Sequence, residues 1–259
     1  MPSEMLTERQ GATQVLTLSD PATRNSLSPQ ACAAGIEALN QAEADGEVRC
    51  VVLRGEGAHF CAGGNLQRIG RARREPPEDQ AQSMSHFLGF VEALRGFTKP
   101  VIAAVEGYAA GGGCSLALAC DLIVAAEDAR FLMSWGKVGL SPDGGASWHL
   151  ARQLPRAQAL RMLWLPEPMT ARQWQAYGLV STVTDTAQAL TEALKLAERL
   201  AQMAPNVLAS VKELVNQAPR LDLRQQLDSE REHFVRNLFD TNGGEGLRAF
   251  AEKRPPEFR

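Results

Sequence analysis

The sequence has little that a secreted, membrane or metal-binding protein needs. Acidic residues near the N-terminus stand where a signal peptide has a basic start and an apolar run, so no secretion is expected. Residues 101–119 are the most apolar stretch, but Glu106 and several glycines within it argue against a membrane span. The 5 cysteines are odd in number and include no CxxC pair, which predicts neither a disulfide framework nor a zinc site. These absences favour a cytoplasmic protein.

Charge excludes a second group of functions. The formal net charge is -3 over 259 residues, which gives neither nucleic acid nor a membrane surface an attractive face. The 4 histidines show no metal-ligand spacing with carboxylates or cysteines, so no metal is predicted. We therefore expect a globular protein whose ligand is a small molecule, with any anion bound at a local site.

Short β-rich runs alternate with helical patterns along the chain, which predicts an α/β fold. Ser28 and Pro29 suit the N-cap and first turn of a helix that ends near Gly46. The predicted strands are residues 14–18, 50–54, 101–105, 122–126 and 180–183.

The last third of the sequence has mainly helical patterns. Thr170 and Gln173 form a capping box, and residues 187–203 and 223–238 are amphipathic. These apolar helix faces need a surface to pack on, which is either their own domain or a partner subunit.

Residues 68–79 have a different composition. Their charges and two prolines predict an exposed loop, and a pocket lid or a phosphate contact is the alternative role.

Two glycine-rich turns follow predicted strands. Residues 60–66 follow the second strand, and residues 107–114 follow the third and lead into an apolar helical stretch. Neither turn has the pattern of a P-loop or of a dinucleotide fingerprint. Each turn alone is typical of a tight connection. Two such turns after strands favour an oxyanion hole, in which two backbone N–H groups bind an anionic oxygen.

These segments resemble the enoyl-CoA hydratase/isomerase family of the crotonase superfamily. Residues 60–66 are similar to its FxAGxDL segment, and residues 101–121 are similar to its second signature, which runs from a strand through three glycines to a helix and Cys-Asp. The similarity continues through residues 24–27, 131–145 and 249–254, and so covers nearly the whole chain.

The resemblance implies an architecture and a substrate. It predicts a crotonase-like α/β spiral core of ββα units over residues 1–203, followed by an α-helical trimerisation region over residues 204–259. The assembly would be a homotrimer or a dimer of trimers. The substrate would be an acyl-CoA thioester, which brings the coenzyme A itself, and no further cofactor is implied.

The resemblance also assigns binding residues. It places the two oxyanion donors at the backbone N–H groups of Gly64 and Gly112. The implied coenzyme A contacts are Arg24 near the nucleotide phosphates, Ala62 through its carbonyl, and Phe250 with Lys253 reaching from a neighbouring subunit. By residue chemistry alone, Arg24 is typical of a solvated turn and Phe250 of a terminal helix anchor.

The catalytic positions depart from the family pattern. Family hydratases use two glutamates, and this chain has Ser115 and Trp135 at those positions. Neither a hydroxyl nor an indole is a general base near neutral pH, so both are expected to be pocket residues. Asp143 remains, at the acidic position of single-acid isomerases of the family, including those acting on ring-opening intermediates of phenylacetate breakdown. Outside that resemblance, its Pro-Asp-Gly-Gly context is typical of a turn.

The expected activity is therefore double-bond isomerisation of an enoyl-CoA. Asp143 would move the proton while Gly64 and Gly112 hold the enolate oxygen, and burial beside an apolar pocket would raise the pKa of the carboxyl group. Three alternatives stay open. They are an enoyl-CoA hydratase that uses Asp143, an aromatic dehalogenase that would also need a histidine near His86, and a non-catalytic acyl-CoA binder.

Overall fold

The computed structural model describes residues 3–259. The strands are β1 (Glu4–Gln10), β2 (Thr13–Ser19), β3 (Cys50–Gly55), β4 (Val101–Val105), β5 (Tyr108–Ala110), β6 (Leu122–Ala126), β7 (Arg130–Leu132), β8 (Met169–Thr170) and β9 (Thr182–Thr184). The α-helices are α1 (Pro29–Ala44), α2 (Leu66–Ala72), α3 (Pro77–Gly96), α4 (Gly112–Ala119), α5 (Ala146–Gln153), α6 (Arg156–Trp164), α7 (Ala171–Ala176), α8 (Ala189–Ala201), α9 (Pro205–Gln217), α10 (Leu223–Leu238) and α11 (Thr241–Glu252). Short 3-10 helices cover Pro21–Thr23, Ser134–Val138 and Ala218–Arg220.

The main sheet has the order β1-β2-β3-β4-β6-β9. β1 pairs with β2 antiparallel, and every later pair in this sheet is parallel. β4 is buried along its whole length, as parallel strands are when both faces of a sheet are covered. A smaller sheet of order β5-β7-β8 lies beside it. Because β5 follows β4 directly, this second sheet starts at the carboxyl end of a central strand.

Two apolar cores cover the faces of the main sheet. On one face, Ala189, Ala193 and Ala197 of α8 recur every four residues, and their small side chains let the helix pack closely on Val52 and Ile102. The larger core on the other face includes residues of α1, α3, α4 and α5. The glycine-rich turns lie on this second side, at the ends of β3 and β4.

Several local predictions are confirmed. The Ser28 hydroxyl accepts a hydrogen bond from the N–H of Ala31 at 3.1 Å, and Pro29 opens α1. Thr170 and Gln173 form the predicted capping box of α7. The predicted strand at residues 180–183 is shifted, because the paired residues are Thr182–Thr184. Within residues 3–259, no helix is long and apolar enough to cross a membrane.

The prediction of an exposed loop over residues 68–79 is confirmed for residues 73–76 and wrong for residues 68–72 and 77–79, which are helical. The Asn65 side chain accepts hydrogen bonds from the N–H groups of Gln67 and Arg68 and so caps α2, which continues to Ala72. α3 then begins at Pro77, where the fixed φ of proline suits the first helical turn and its missing N–H is not needed. Pro77, one of the two prolines that indicated a loop, is therefore the first residue of a helix.

The C-terminal helices leave many large apolar side chains exposed. After α8, the chain passes through residues 202–204 into α9, where the predicted boundary between core and C-terminal region falls. Lys212 of α9 forms an ion pair with Asp121 at 2.8 Å and so ties this region to the main sheet. The most exposed apolar side chains of these helices are Val215, Leu223, Phe234, Phe239, Leu247 and Phe250.

Candidate active site

A cavity of about 480 Å³ opens between the glycine-rich turns, α2, α3 and the segment that follows β7. Its size is in the range usual for small-molecule sites. Its wall includes Gly64, Gly112, Trp135 and Asp143, which the sequence singled out. The other lining residues are Leu27, Ser28, Pro29, Cys32, Arg68, Ile69, Ala72, Arg73, Glu75, Pro77, Gln80, Ser83, Met84, Phe87, Leu140, Ser141 and Pro142.

Backbone hydrogen bonds bring the two glycine-rich turns together. The N–H of Cys61 donates to the carbonyl of Tyr108 at 3.1 Å, and the N–H of Ala110 donates to the carbonyl of Cys61 at 2.9 Å. The carbonyl of Gly63 accepts from the N–H of Leu27 at 2.8 Å. These bonds hold residues 60–66 against residues 107–114, so both turns contribute backbone to one wall.

The N–H groups of Gly64 and Gly112 have no protein acceptor within residues 3–259. Gly112 is the first residue of α4, where the N–H of a helix lacks an intrahelical partner and the helix dipole is positive. Gly64 and Gly112 line the same cavity. Two backbone N–H groups without protein acceptors are the kind of donors that can bind an anionic oxygen.

Glycine is required where the turns approach each other. Gly63 has φ +82°, a conformation that L side chains rarely adopt, and a Cβ there would lie 2.9 Å from the nitrogen of Gly112. Gly111 has φ +51° and precedes α4. Larger residues at these positions would push the two donor segments apart.

Asp143 is fixed by two hydrogen bonds from the positions where family hydratases have glutamates. The indole Nε1–H of Trp135 donates to Asp143 Oδ1 at 3.1 Å, and Ser115 Oγ donates to the backbone carbonyl of Asp143 at 2.8 Å. Trp135 lines the cavity, whereas Ser115 is fully buried behind the wall and is not one of its lining residues. Trp135 thus orients the carboxylate and Ser115 holds the backbone of Asp143, and neither residue replaces the carboxylate as a base.

Burial raises the pKa of the Asp143 carboxyl above its ordinary value. The hydrogen bonds from Trp135 and from the residue's own backbone oppose this effect and lower the pKa. A carboxylate with a raised pKa is a stronger base, and it accepts and returns a proton more readily than a solvated one. The other acidic residue in the wall, Glu75, is exposed at the mouth.

Helices α2 and α3 supply walls of the cavity that the sequence indicated only in part. Ile69, Met84 and Phe87 give the cavity apolar surface, and Phe87 lies beside Gly112, where a Cβ would be 3.2 Å from the Phe87 ring. The spacing of Phe87, Phe90 and Leu94 is helical, and it could have indicated a buried face of α3. The alternative role of residues 68–79 as part of the pocket agrees with the structure, since Arg68, Ile69 and Ala72 of α2 line the cavity.

The four residues assigned to coenzyme A do not line the cavity of the single chain. Arg24 is exposed, and its carbonyl accepts from the N–H of Ala62 at 2.9 Å, so these two residues are neighbours. Phe250 is 86% exposed on α11, and Lys253 caps the end of that helix. Any contact that these residues make with the ligand depends on parts of it outside the cavity or on a second subunit.

The environments of Cys32 and His86 do not suit a catalytic role. Cys32 lines the cavity, but burial raises the pKa of its thiol to about 12, which leaves it protonated and unreactive at neutral pH. His86 is exposed on α3 and is absent from the cavity wall. Across residues 3–259, no group of three or more potential metal-binding side chains is present.

Comparisons with known proteins agree with this geometry. The model of the enoyl-CoA hydratase/isomerase family matches residues 8–259. The chain belongs to this family. A Mycobacterium tuberculosis enoyl-CoA hydratase, EchA19, is 34% identical over 99% of this chain and 96% of its own. An Escherichia coli 1,2-epoxyphenylacetyl-CoA isomerase is 36% identical over 94% of this chain and 93% of its own.

Solved structures of the family give the same fold. An enoyl-CoA hydratase from Polaromonas sp. JS666 superimposes with a TM-score of 0.98 at 55% identity, over 99% of this chain and 100% of that one. This enoyl-CoA hydratase/isomerase family member therefore has the crotonase fold, and it is an enzyme of a family that acts on acyl-CoA thioesters. The predicted family and fold are confirmed.

Proposed function

We propose that this enzyme isomerises the double bond of an enoyl-CoA, with Asp143 as the acid and base and with Gly64 and Gly112 as the oxyanion donors. One observation carries the proposal. The half-buried carboxylate of the cavity wall shares that wall with two backbone N–H groups that have no protein acceptor. A proton-transfer group and an oxyanion hole are the parts that enolate chemistry needs.

The reaction follows from this arrangement. The thioester oxygen of a 3-enoyl-CoA accepts hydrogen bonds from the two N–H groups, which lowers the free energy of the enolate. Asp143 takes a proton from C2, and the electrons spread over the dienolate. The hydrogen on the Asp143 carboxyl exchanges with solvent, and Asp143 then delivers a hydrogen to C4, which leaves a 2-enoyl-CoA. Burial raises the pKa of this carboxyl group toward the range in which both transfers are feasible.

Hydration of a 2-enoyl-CoA is the second candidate. The names of the mycobacterial relative and of the Polaromonas structure favour it. The side chains of this site favour isomerisation, because Ser115 and Trp135 cannot activate a water molecule and both already donate hydrogen bonds to Asp143. A hydratase would have to use Asp143 alone as its base. The name of the Escherichia coli relative supports including phenyl-bearing substrates among those tested.

Mass spectrometry in deuterated water separates the candidates. We expect the wild type to convert linear and phenyl-bearing 3-enoyl-CoA substrates to the 2-enoyl isomers with deuterium uptake and without added water. Asp143→Asn should abolish this exchange. Glu75→Gln, which changes an exposed acid at the cavity mouth, should retain it. Addition of water to the 2-enoyl-CoA would instead identify a hydratase, and a bound but unchanged thioester would contradict both reactions.

We also propose that the enzyme works as a trimer or a dimer of trimers, with residues 204–259 as the trimerisation region. The exposed apolar side chains of α9, α10 and α11 support this, since a second copy would cover them. In such an assembly, Phe250 and Lys253 of one subunit would contact coenzyme A bound to its neighbour. Arg24 and Ala62 would contact the nucleotide part of the same molecule.

A further inference from the structure

The cavity contains a cation whose role the proton-transfer reaction does not explain. Arg68 lies on α2, is half-buried and lines the same wall as Gly64. Its Nη1 donates to Ser83 Oγ at 2.9 Å, and its Nε is enclosed without a hydrogen-bond partner. In the part of the chain that the structure describes, Arg68 forms no ion pair with an aspartate or a glutamate. One of its donors is therefore satisfied by the protein.

An unpaired guanidinium in a partly desolvated wall costs free energy that an anionic ligand would offset. The planar fork of arginine matches a carboxylate, which accepts two parallel hydrogen bonds from it. Because Nε is enclosed, the terminal nitrogens Nη1 and Nη2 are the donors available to a ligand. The remainder of a ligand that reaches them would lie against apolar side chains such as Met84 and Phe87.

We propose that Arg68 determines substrate specificity by binding a carboxylate at the far end of the acyl chain. The substrate would then be the monothioester of an unsaturated dicarboxylic acid. This inference rests on the proposed function, since it concerns the acyl group in the same cavity. The coenzyme A phosphates have another cation available, because Arg73, the other arginine of the cavity wall, is exposed.

Paired substrates test the role of Arg68. The kcat/KM values of the CoA monothioester of a six-carbon enedioic acid and of the methyl-ended hexenoyl-CoA would be compared in the wild type, Arg68→Met and Arg71→Met. Arg71 is the matched control, because it lies on the same helix but is exposed and outside the cavity wall. We expect the wild type to prefer the dicarboxylic substrate. Arg68→Met should lower that preference by about 10- to 100-fold, and Arg71→Met should preserve it.

Binding of saturated analogues keeps this test independent of turnover. Titration calorimetry with adipyl-CoA and hexanoyl-CoA should show the same selective loss in Arg68→Met, with partial recovery in Arg68→Lys, which keeps the charge but not the fork. Equal losses for both ligands would overturn the proposal and assign Arg68 to the coenzyme A part or to the packing of α2. If calorimetry shows the preference and no substrate is turned over, the proposed reaction fails while the specificity role stands.

Discussion

The indole N–H of Trp135 donates to the carboxylate of Asp143 at 3.1 Å. Trp135 lies in a 3-10 helix that ends at the left-handed Gly139, four residues before Asp143. Trp135 occupies a position where family hydratases have a glutamate. Where those hydratases have a carboxylate that can act as a base, this chain has an indole N–H that donates to the carboxylate of Asp143 and orients it. This relationship distinguishes the site from a two-glutamate hydratase, and it makes Asp143 dependent on its neighbour.

Trp135→Phe removes this donor while keeping an aromatic ring in the wall. Because the hydrogen bond lowers the pKa of Asp143, its loss should raise that pKa further. The base must be ionised, so the acid limb of the kcat/KM profile should move to higher pH, and activity at any pH on that limb should fall. Trp148→Phe, on α5 and outside the cavity wall, is the control. An unchanged acid limb in Trp135→Phe would argue against Asp143 as the titrating group.

Gly112→Pro deletes a proposed oxyanion donor at a helix position whose backbone accepts proline. Position 112 is the first of α4, where proline is well tolerated because its N–H has no helical partner. Loss of one donor typically costs ~3 kcal/mol, so kcat should fall by about 100-fold or more. Gly112→Ala adds a Cβ that would lie 3.1 Å from Leu27 Cδ1, but it keeps the N–H. It should therefore lose much less activity, and similar losses in both variants would indicate a steric effect instead.

The sequence predicted the parts of the fold whose signals are local. The strands at residues 101–105 and 122–126 have the predicted bounds, because continuous apolar runs are typical of parallel strands buried on both faces. β1 was missed, since an edge strand with most residues exposed shows no apolar alternation. Residues 68–72 of α2 were assigned to a loop because of their charges and the two prolines that follow them, and composition does not separate such an exposed helix from a loop.

The sequence predicted which backbone segments form the candidate site, but it did not predict the side-chain contacts within it. The glycines at 64 and 112 follow strands, so their meeting at one sheet edge could be expected from topology. The contacts of Asp143 with Ser115 and Trp135 could not, because they join three segments through side-chain directions that no sequence pattern specifies. The same is true of Arg68, whose position depends on how α2 folds over the cavity.

Asp143→Asn should stabilise the folded protein while abolishing the proposed proton transfer. Burial raises the pKa of this carboxyl above its unfolded value, so its ionised form disfavours folding once the pH exceeds the folded pKa. The variant should therefore have the higher free energy of unfolding at pH 7, and each ~1 kcal/mol would raise the melting temperature by ~2–4 °C. The difference should shrink as the pH falls and the wild-type carboxyl becomes protonated. Urea titrations at pH 5 and pH 7 would measure it, and a less stable variant at pH 7 would contradict the burial argument.

Phe234→Glu tests the assembly. Phe234 lies on α10, is 69% exposed and borders a groove between α9 and α10 with Val207, Val211 and Leu227. If a second copy covers this face, burying a glutamate there is costly, and the variant should sediment at a lower mass than the wild type. Trp164→Glu is the matched control, since Trp164 is 70% exposed on α6, outside the proposed trimerisation region. Analytical ultracentrifugation at several concentrations would measure the masses. A monomeric wild type, or equal dissociation in both variants, would contradict the assignment of residues 204–259 to trimerisation.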